Sequence, residues 1–341
     1  MKLVRAGEAS FALLWEKLLE QDELGYPLLR GLDVAYCTAY MRESRFEDVS
    51  FLIEESQSPS LGVRMAVRTH PDGRRDISGF GRPIGYFESN MTDAGRREGA
   101  ICLLRDEMNR LVETTGCTSI VYEELGSALS PIGRYLMDRG AKAIPRFAQV
   151  IDLTQSETLL RQQIRKSYKS LINWGGKNLN LQLLDHATVQ PEDMERFHQL
   201  HFEAAGRETR SRETWDIQLE MVRAREAFLV FGQMDGVLVT GAAFWHSSRY
   251  CYYGVSASRR ELFANPLGHS VLWAAILHAK KMGCRFLETG ELFFSNHGNP
   301  VPTSKELAIS TFKRGFGGES RLRLKVTWEK QSESVTSGSA F

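Results

Sequence analysis

Hydrophobic and polar positions along this chain switch repeatedly between a period near two and a period near 3.6, and the order of the switches carries the most information. Residues 81–88 suit a strand. From about 96 to 115, Ile101, Leu104, Met108, Leu111 and Val112 recur at helical spacing and mark a buried stripe. Gly116 stands where a helix C-cap favours a left-handed residue, and residues 117–124 return to strand composition. A short helix is predicted near 130–139, stopped by Gly140, and a further strand over 146–153. The second half repeats this punctuation. A strand over 250–257 leads to a helix over 270–282, the pair Gly283-Cys284, a strand over 285–289, a helix over 304–314 stopped by Gly315, and a strand over 321–329.

Two pairs of landmarks align the halves. Gly116-Cys117 and Gly283-Cys284 lie 167 positions apart, and Arg139-Gly140 and Arg314-Gly315 lie 175 apart. The longer loop at 293–303 accounts for the slip. A period this long points to a duplicated domain rather than a solenoid. Ahead of the second repeat, residues 227–233, 237–246 and 250–257 read as a meander, with Asp235-Gly236 as its tight turn. Residues 157–174 read as one amphipathic helix, with Leu160, Ile164, Tyr168 and Leu171 on one face and Arg161, Arg165 and Lys169 along a basic edge. The expected fold is α/β (α+β): two tandem domains, 1–153 and 154–330, each a mixed twisted sheet flanked by helices, then a Ser-rich flexible tail over 331–341.

Composition narrows the function classes. With 42% hydrophobic and 25% charged residues in 341, the chain is neither collagen-like, coiled-coil nor largely disordered. Forty-three basic against 42 acidic residues leave no global field for DNA or an anionic membrane. A local excess does exist, seven basic against three acidic between Lys305 and Lys330. Five cysteines without a CxxC pair argue against a disulfide framework or thiolate zinc site and for a reducing compartment. The start lacks the apolar core of a signal peptide, and no run of 18 apolar residues occurs, so a cytoplasmic protein without a transmembrane segment is expected. No P-loop, GxGxxG, GxSxG or metal constellation is present.

The meander followed by strand, helix, strand, helix, strand resembles the acyltransferase fold of the GNAT superfamily, and its duplication resembles the FemABX group of peptidyl and aminoacyl transferases. The stretch Leu160-Arg-Gln-Gln-Ile-Arg-Lys-Ser-Tyr-Lys-Ser-Leu-Ile172 is similar to the basic helix opening that family's second domain. Thr311-Phe-Lys-Arg-Gly-Phe-Gly-Gly318 is similar to its Phe-Lys-x-x-Phe element. Ala205-Gly-Arg-Glu-Thr-Arg-Ser-Arg-Glu-Thr-Trp215 resembles a stretch of FemAB-like proteins associated with surface-carbohydrate loci. The resemblance implies an N-acyltransferase with no tightly bound cofactor. Its co-substrate is an aminoacyl-tRNA or an acyl-CoA, and its acceptor an amine of a cell-envelope precursor or amino sugar. It also implies a separation between the strands at 250–257 and 285–291, where an activated acyl group is held. Two departures stand beside it. The loop over 258–268 has one Gly and a Pro instead of the GNAT diphosphate-binding motif, and 154–227 lacks the heptads of the family's coiled-coil arm. A coenzyme A dependent enzyme and a catalytically silent carbohydrate- or partner-binding module therefore stay open as alternatives.

Acyl transfer to an amine passes through an oxyanion and releases a proton, so it needs a cation or N–H donors and a proton acceptor. Lys313 falls on the family's lysine; its first-half counterpart is Asp138. Glu288 and Glu291 end a strand of the expected opening and are candidate proton acceptors or ammonium ligands. His269 at a helix start, Tyr252 and Tyr253 on the meander strand, and Lys305 are candidate donor-binding residues. Tyr252 and Tyr253 point to opposite faces, so one reaches the cleft while the other packs. Arg207, Arg210 and Arg212 beside Trp215 suit an anionic, flat or sugar-bearing acceptor, with His297 in a turn-rich loop. His198 and His201 form an HxxH without accompanying carboxylates and read as structural. The alternation Arg321, Arg323, Lys325 suits either a phosphate-bearing donor or a solvated strand face.

Overall fold

The computed structural model describes residues 1–89, 93–295 and 301–330. The chain divides into two compact units, but not at residue 153. The first comprises Met1–Leu18, Glu43–Ile144 and the chain from Leu324; the second comprises Leu19–Arg42 and Pro145–Arg323. Strand pairing explains the difference. Strand Lys142–Asp152, which ends the first repeat, runs antiparallel to Phe286–Leu292 of the second. Strand Glu319–Glu329 ends the second repeat, and from Leu324 onward it runs antiparallel to Ser119–Glu124 of the first. Each repeat thus gives its last strand to the other's sheet.

In the first unit, Lys2–Arg5, Phe51–Glu55, Ser58–Arg64 and Gly85–Glu88 form an antiparallel sheet. Strand Ser119–Glu124 joins a second sheet beside Arg75–Ser78, Ala66–Thr69 and Arg45–Asp48. Helix Ala94–Thr114 carries Leu104, Met108 and Leu111 into a core with Phe51, Leu61, Ile120 and Ile132. Its buried carboxylate, Glu107, is 4% exposed and held by the guanidiniums of Arg5 and Arg110 at 2.7–2.9 Å.

The second unit holds an antiparallel meander, Asn180–Leu184, Ala227–Met234, Val237–His246 and Tyr250–Ser258. Helix Leu267–Lys281 then crosses over to Phe286–Leu292, which runs parallel to Tyr250–Ser258 as such a crossover requires. Alternation along the strands sorts the two faces. Phe228, Val230, Ala242, Phe244, Cys251 and Tyr253 pack with Val271, Leu272 and Ala275 of the crossover helix. On the other face Phe231 meets Phe197 of helix Pro191–Ala205. Gly241 fits closely there, since a Cβ would lie 3.0 Å from the Phe231 ring and 3.1 Å from the Phe197 ring.

The basic segment expected as one helix over 157–174 is two, Glu157–Gln163 and Lys166–Asn178. Ile164 is extended at the break, and the freed Arg165 N–H donates to the Gly315 carbonyl at 2.9 Å. Leu160, Ile164 and Tyr168 of the expected stripe are in the core, but Ile172 takes the place expected for Leu171, which is only partly buried against it. No helix among the described residues is long and apolar enough to cross a membrane.

Burial pushes the Glu107 carboxyl up, but the Arg110 and Arg5 guanidiniums outweigh it and hold it at about 2. A carboxyl depressed in the folded state stabilises above its unfolded pKa, and that contribution is lost as pH falls. The stability of the first unit is therefore expected to decline between about pH 4.5 and pH 2. Replacing Glu107 by Gln should cost about 1–3 kcal/mol at pH 7 and progressively less toward pH 2, measured by thermal unfolding against pH.

Candidate active site

Strands Tyr250–Ser258 and Phe286–Leu292 pair over three residues only, Tyr250 with Phe286, Cys251 with Leu287 and Tyr252 with Glu288, and then separate. Both carry an irregularity where they part. The ladder from Val237–His246 shifts register between Ala243 and Phe244, which leaves Gly254 as the extra residue opposite them. The ladder from Lys142–Asp152 shifts between Glu288 and Gly290. Bulges bend a strand and disrupt the local ladder, and these two lie where the strands part.

Gly290 sits at the mouth with φ +90°, a conformation that L side chains rarely adopt. A Cβ there would lie 3.1 Å from the Lys313 ammonium and 3.6 Å from the Tyr252 hydroxyl. Helix Ser304–Arg314 presents Lys313 in its last turn, and the ammonium donates to the Glu291 carbonyl at 2.9 Å. The helix is fixed at its start by a Thr303–Glu306 capping box. Burial lowers the Lys313 pKa, while Glu288 and Glu291 act in the opposite direction and only partly offset it. A half-buried cation thus faces a glycine backbone and a phenol where the sheet opens.

Beneath lies a buried ion pair. Glu288 is 1% and Arg323 8% exposed, and an Arg323 N–H donates to the Glu288 carboxylate at 2.5 Å. The Tyr250 hydroxyl donates to the same oxygen at 2.9 Å. Arg323 also donates to the Tyr26 hydroxyl at 3.2 Å and lies over the Tyr26 ring. That ring meets Tyr250 and Tyr252 edge-on. Two expectations need correction. Glu288 is committed to Arg323 and Tyr250 in the interior, so it is a structural anion and not a proton acceptor open to an amine. The reading of Arg323 as part of a solvated strand face fails for the same reason. Tyr26, Tyr250 and Arg323 carry no motif; the basic alternation around Arg323 and the i, i+2 placement of Tyr250 and Tyr252 on one strand face were the signals available.

The other candidates divide. Glu291 is half-exposed at the same strand end and ion-paired with Arg146. Tyr252 faces the opening, whereas Tyr253 stacks on Phe244 in the core of the opposite face. His269 lies among the rings of Tyr168, Phe312 and Phe316, with its Nδ1 buried and unpartnered, and burial lowers its pKa. It reads as packing. Lys305 is exposed at the first turn of its helix.

The arginine segment does not form the expected clamp. Trp215 is 1% exposed and packs on Phe197, His198 and His201, so its ring offers no face to a ligand. Its burial was readable, because Trp215, Gln218, Leu219 and Val222 fall at i, i+3, i+4 and i+7 of one helix. Arg212 is engaged by Glu195 and Asp216, and Arg207 is exposed. Arg210 alone turns inward, donating to the Tyr36 hydroxyl at 3.1 Å and meeting His201 Nε2 at 2.9 Å. Burial, then Arg210 and His198, lower the His201 pKa to about 4, so this ring is a neutral acceptor. His297 lies outside the described residues.

No protein-family model and no curated protein matches this sequence. Solved structures do. FemX superposes with a TM-score of 0.69 over 95% of this chain and 97% of its own, at 12% identity. L-PGS from Bacillus licheniformis gives 0.59 over 97% and 95%, at 11% identity. A tandem GNAT protein from the clavulanic acid biosynthesis pathway gives 0.56 over 97% and 99%, at 16% identity. Similarity over the full length of proteins this remote in sequence is similarity of fold. With its duplicated element order and opened parallel strand pair, this chain has the FemABX-like fold of two tandem GNAT units.

Proposed function

We propose that this protein is an N-acyltransferase that moves an aminoacyl or acyl group from an activated donor to an amine of a cell-envelope precursor or amino sugar. The observation that carries the reading is the Lys313 ammonium beside Gly290 and the Tyr252 hydroxyl, where the two strands part. A donor carbonyl lying in the opening, past the last paired residues Tyr252 and Glu288, comes beside Lys313. Attack by the amine converts that carbonyl to a tetrahedral oxyanion, and Lys313 supplies the nearby positive charge. As the intermediate collapses, the bond to the donor's oxygen or sulfur breaks. The proton lost by the amine then balances the charge on that leaving atom. Tyr252 lies close enough to Lys313 to orient the reacting groups.

An aminoacyl-tRNA is the preferred donor, because the loop before helix Leu267–Lys281 lacks the GNAT diphosphate motif. A coenzyme A thioester is the second reading. At the start of that helix Pro266 at the N-cap provides no side-chain hydrogen bond, and the Leu267 and His269 N–H groups donate to the Asn265 and Pro266 carbonyls.

Lys313→Ala should lower turnover by about 10²–10³-fold with the thermal midpoint nearly unchanged, and unaltered turnover would remove Lys313 from the reaction. Because the charged form works and burial lowers its pKa, the rate should fall as pH rises through a value below 10.5. Lys313→Arg should flatten that limb. Gly290→Ala forces a side chain into a left-handed position against the ammonium and should cost roughly tenfold or more in turnover. Isothermal titration against charged tRNA and against coenzyme A separates the donors; tight coenzyme A binding with none to tRNA would reverse the preference.

A further inference from the structure

We propose that Tyr26, Arg323 and Glu288 form a positioning network that fixes where the two strands separate, and through that point the placement of Lys313 and Tyr252. This rests on the acyl-transfer reading for its consequence, but its geometry is independent of it. Glu288 belongs to the last paired position before the strands part, opposite Tyr252. Two residues further along the same strand lies Gly290, against which the Lys313 ammonium and the Tyr252 hydroxyl converge. Whatever holds Glu288 therefore sets the pivot from which the opening is measured.

Three segments distant in sequence hold it. Tyr250 donates to the Glu288 carboxylate from the partner strand. Arg323 reaches it from strand Glu319–Glu329, which lies beyond Lys142–Asp152 in the sheet order. Tyr26 comes from Leu19–Arg42, a segment that precedes most of the first unit in sequence yet belongs to the second. This segment is itself anchored. Arg249 donates to the Asp22 carbonyl at 2.9 Å, Ser247 donates to the Gly25 carbonyl, and the Leu32 N–H donates to Glu226 at 2.9 Å. The Tyr26 hydroxyl accepts from Arg323, and its ring lies edge-on to both Tyr250 and Tyr252. One side chain thus touches the pair's cation, the phenol that binds its anion and the phenol at the mouth.

A buried ion pair is poor value as a source of stability, since desolvating two charges consumes most of the attraction between them. Its use here is to define one geometry. A carboxylate bound by a guanidinium and a phenol cannot slide by a residue without stranding a charge in the interior, so the strands can neither zip further nor part earlier. Tyr26 and Arg323 act through Glu288 and Tyr252, and are positioning residues.

The test uses the full-length protein and no substrate for its first arm. Amide hydrogen exchange is followed by NMR in the wild type, Tyr26→Phe and Arg323→Lys, both of which keep the bulk of the side chain. The expected result is at least a tenfold loss of protection confined to 250–252 and 286–288, with 227–246 unchanged. The second arm titrates Lys313 by 13C-methyl NMR after reductive methylation, in the wild type, Tyr26→Phe and Glu288→Gln. The charged and titratable groups facing it are Glu288, Glu291 and Tyr252, with Arg323 and Arg146 behind the two carboxylates. Glu288→Gln should move the Lys313 titration to lower pH and Tyr26→Phe should shift it measurably, while exposed Lys305 does not move. A folded Tyr26→Phe protein with wild-type exchange at the separation point and a wild-type Lys313 titration would overturn the network. If both shifts appear but no acyl transfer is found with any donor, the network stands and the functional reading falls.

Discussion

Two parallel strands that stay paired for three residues and then part impose a cost that the second unit has to meet elsewhere. Backbone N–H and C=O groups turned away from a ladder lose hydrogen bonds that folding otherwise preserves. Here the loss is confined to one place by a bulge on each strand, by a glycine held at φ +90°, and by the buried carboxylate of Glu288 at the last paired position. The same features shape the candidate site. A half-buried ammonium and a phenol meet beside Gly290, where the strands part. Position along the sheet, more than any individual side chain, sets this end of the molecule apart.

The first unit carries the same architectural idea with different chemistry. There Gly85–Glu88 and Ser119–Glu124 approach each other only through an isolated bridge between Ile84 and Tyr122. The buried carboxylate beyond it, Glu124, accepts from the Ser130 N–H and hydroxyl and from Tyr122, at the start of helix Pro131–Asp138. It occupies a helix N-terminus where an anionic ligand would otherwise be favoured. In place of Lys313 the first unit has the exposed Asp138. The duplicated frame thus carries opposite charge at the equivalent position.

Exchange of the last strands explains why the two units cannot be cut at the midpoint of the sequence. A break at residue 153 would remove Lys142–Asp152 from the sheet that flanks Phe286–Leu292, and with it the bulge beside Gly290. It would also separate Tyr26 from Arg323. The duplication is visible as a linear repeat, but its copies are completed only by each other's strands.

How much could be read from the residues follows from the range of the interactions involved. Helix Ser304–Arg314 and strand Val237–His246 lie where their periodicity and turn residues placed them, because caps, glycines and alternation act over a few residues. The Phe-Lys-x-x-Phe likeness brought Lys313 forward, and strand alternation required one of Tyr252 and Tyr253 to face the opening without saying which. Arg323 did not follow, since Leu322 is exposed and Arg323 buried, the reverse of what hydropathy implies. Trp215 was misjudged because its neighbouring arginines drew it toward a ligand, although its helical spacing already marked it as core. Tyr26 could not be found at all. Nothing local distinguishes it, and its importance exists only once Leu19–Arg42 is laid against a strand more than 200 positions away. The sequence alone determined most of the elements and the repeat, through short-range steric and hydrophobic rules. The tertiary structure alone decided which charges are buried together, because the low dielectric that makes Glu288 need Arg323 arises only when distant segments have excluded water from both.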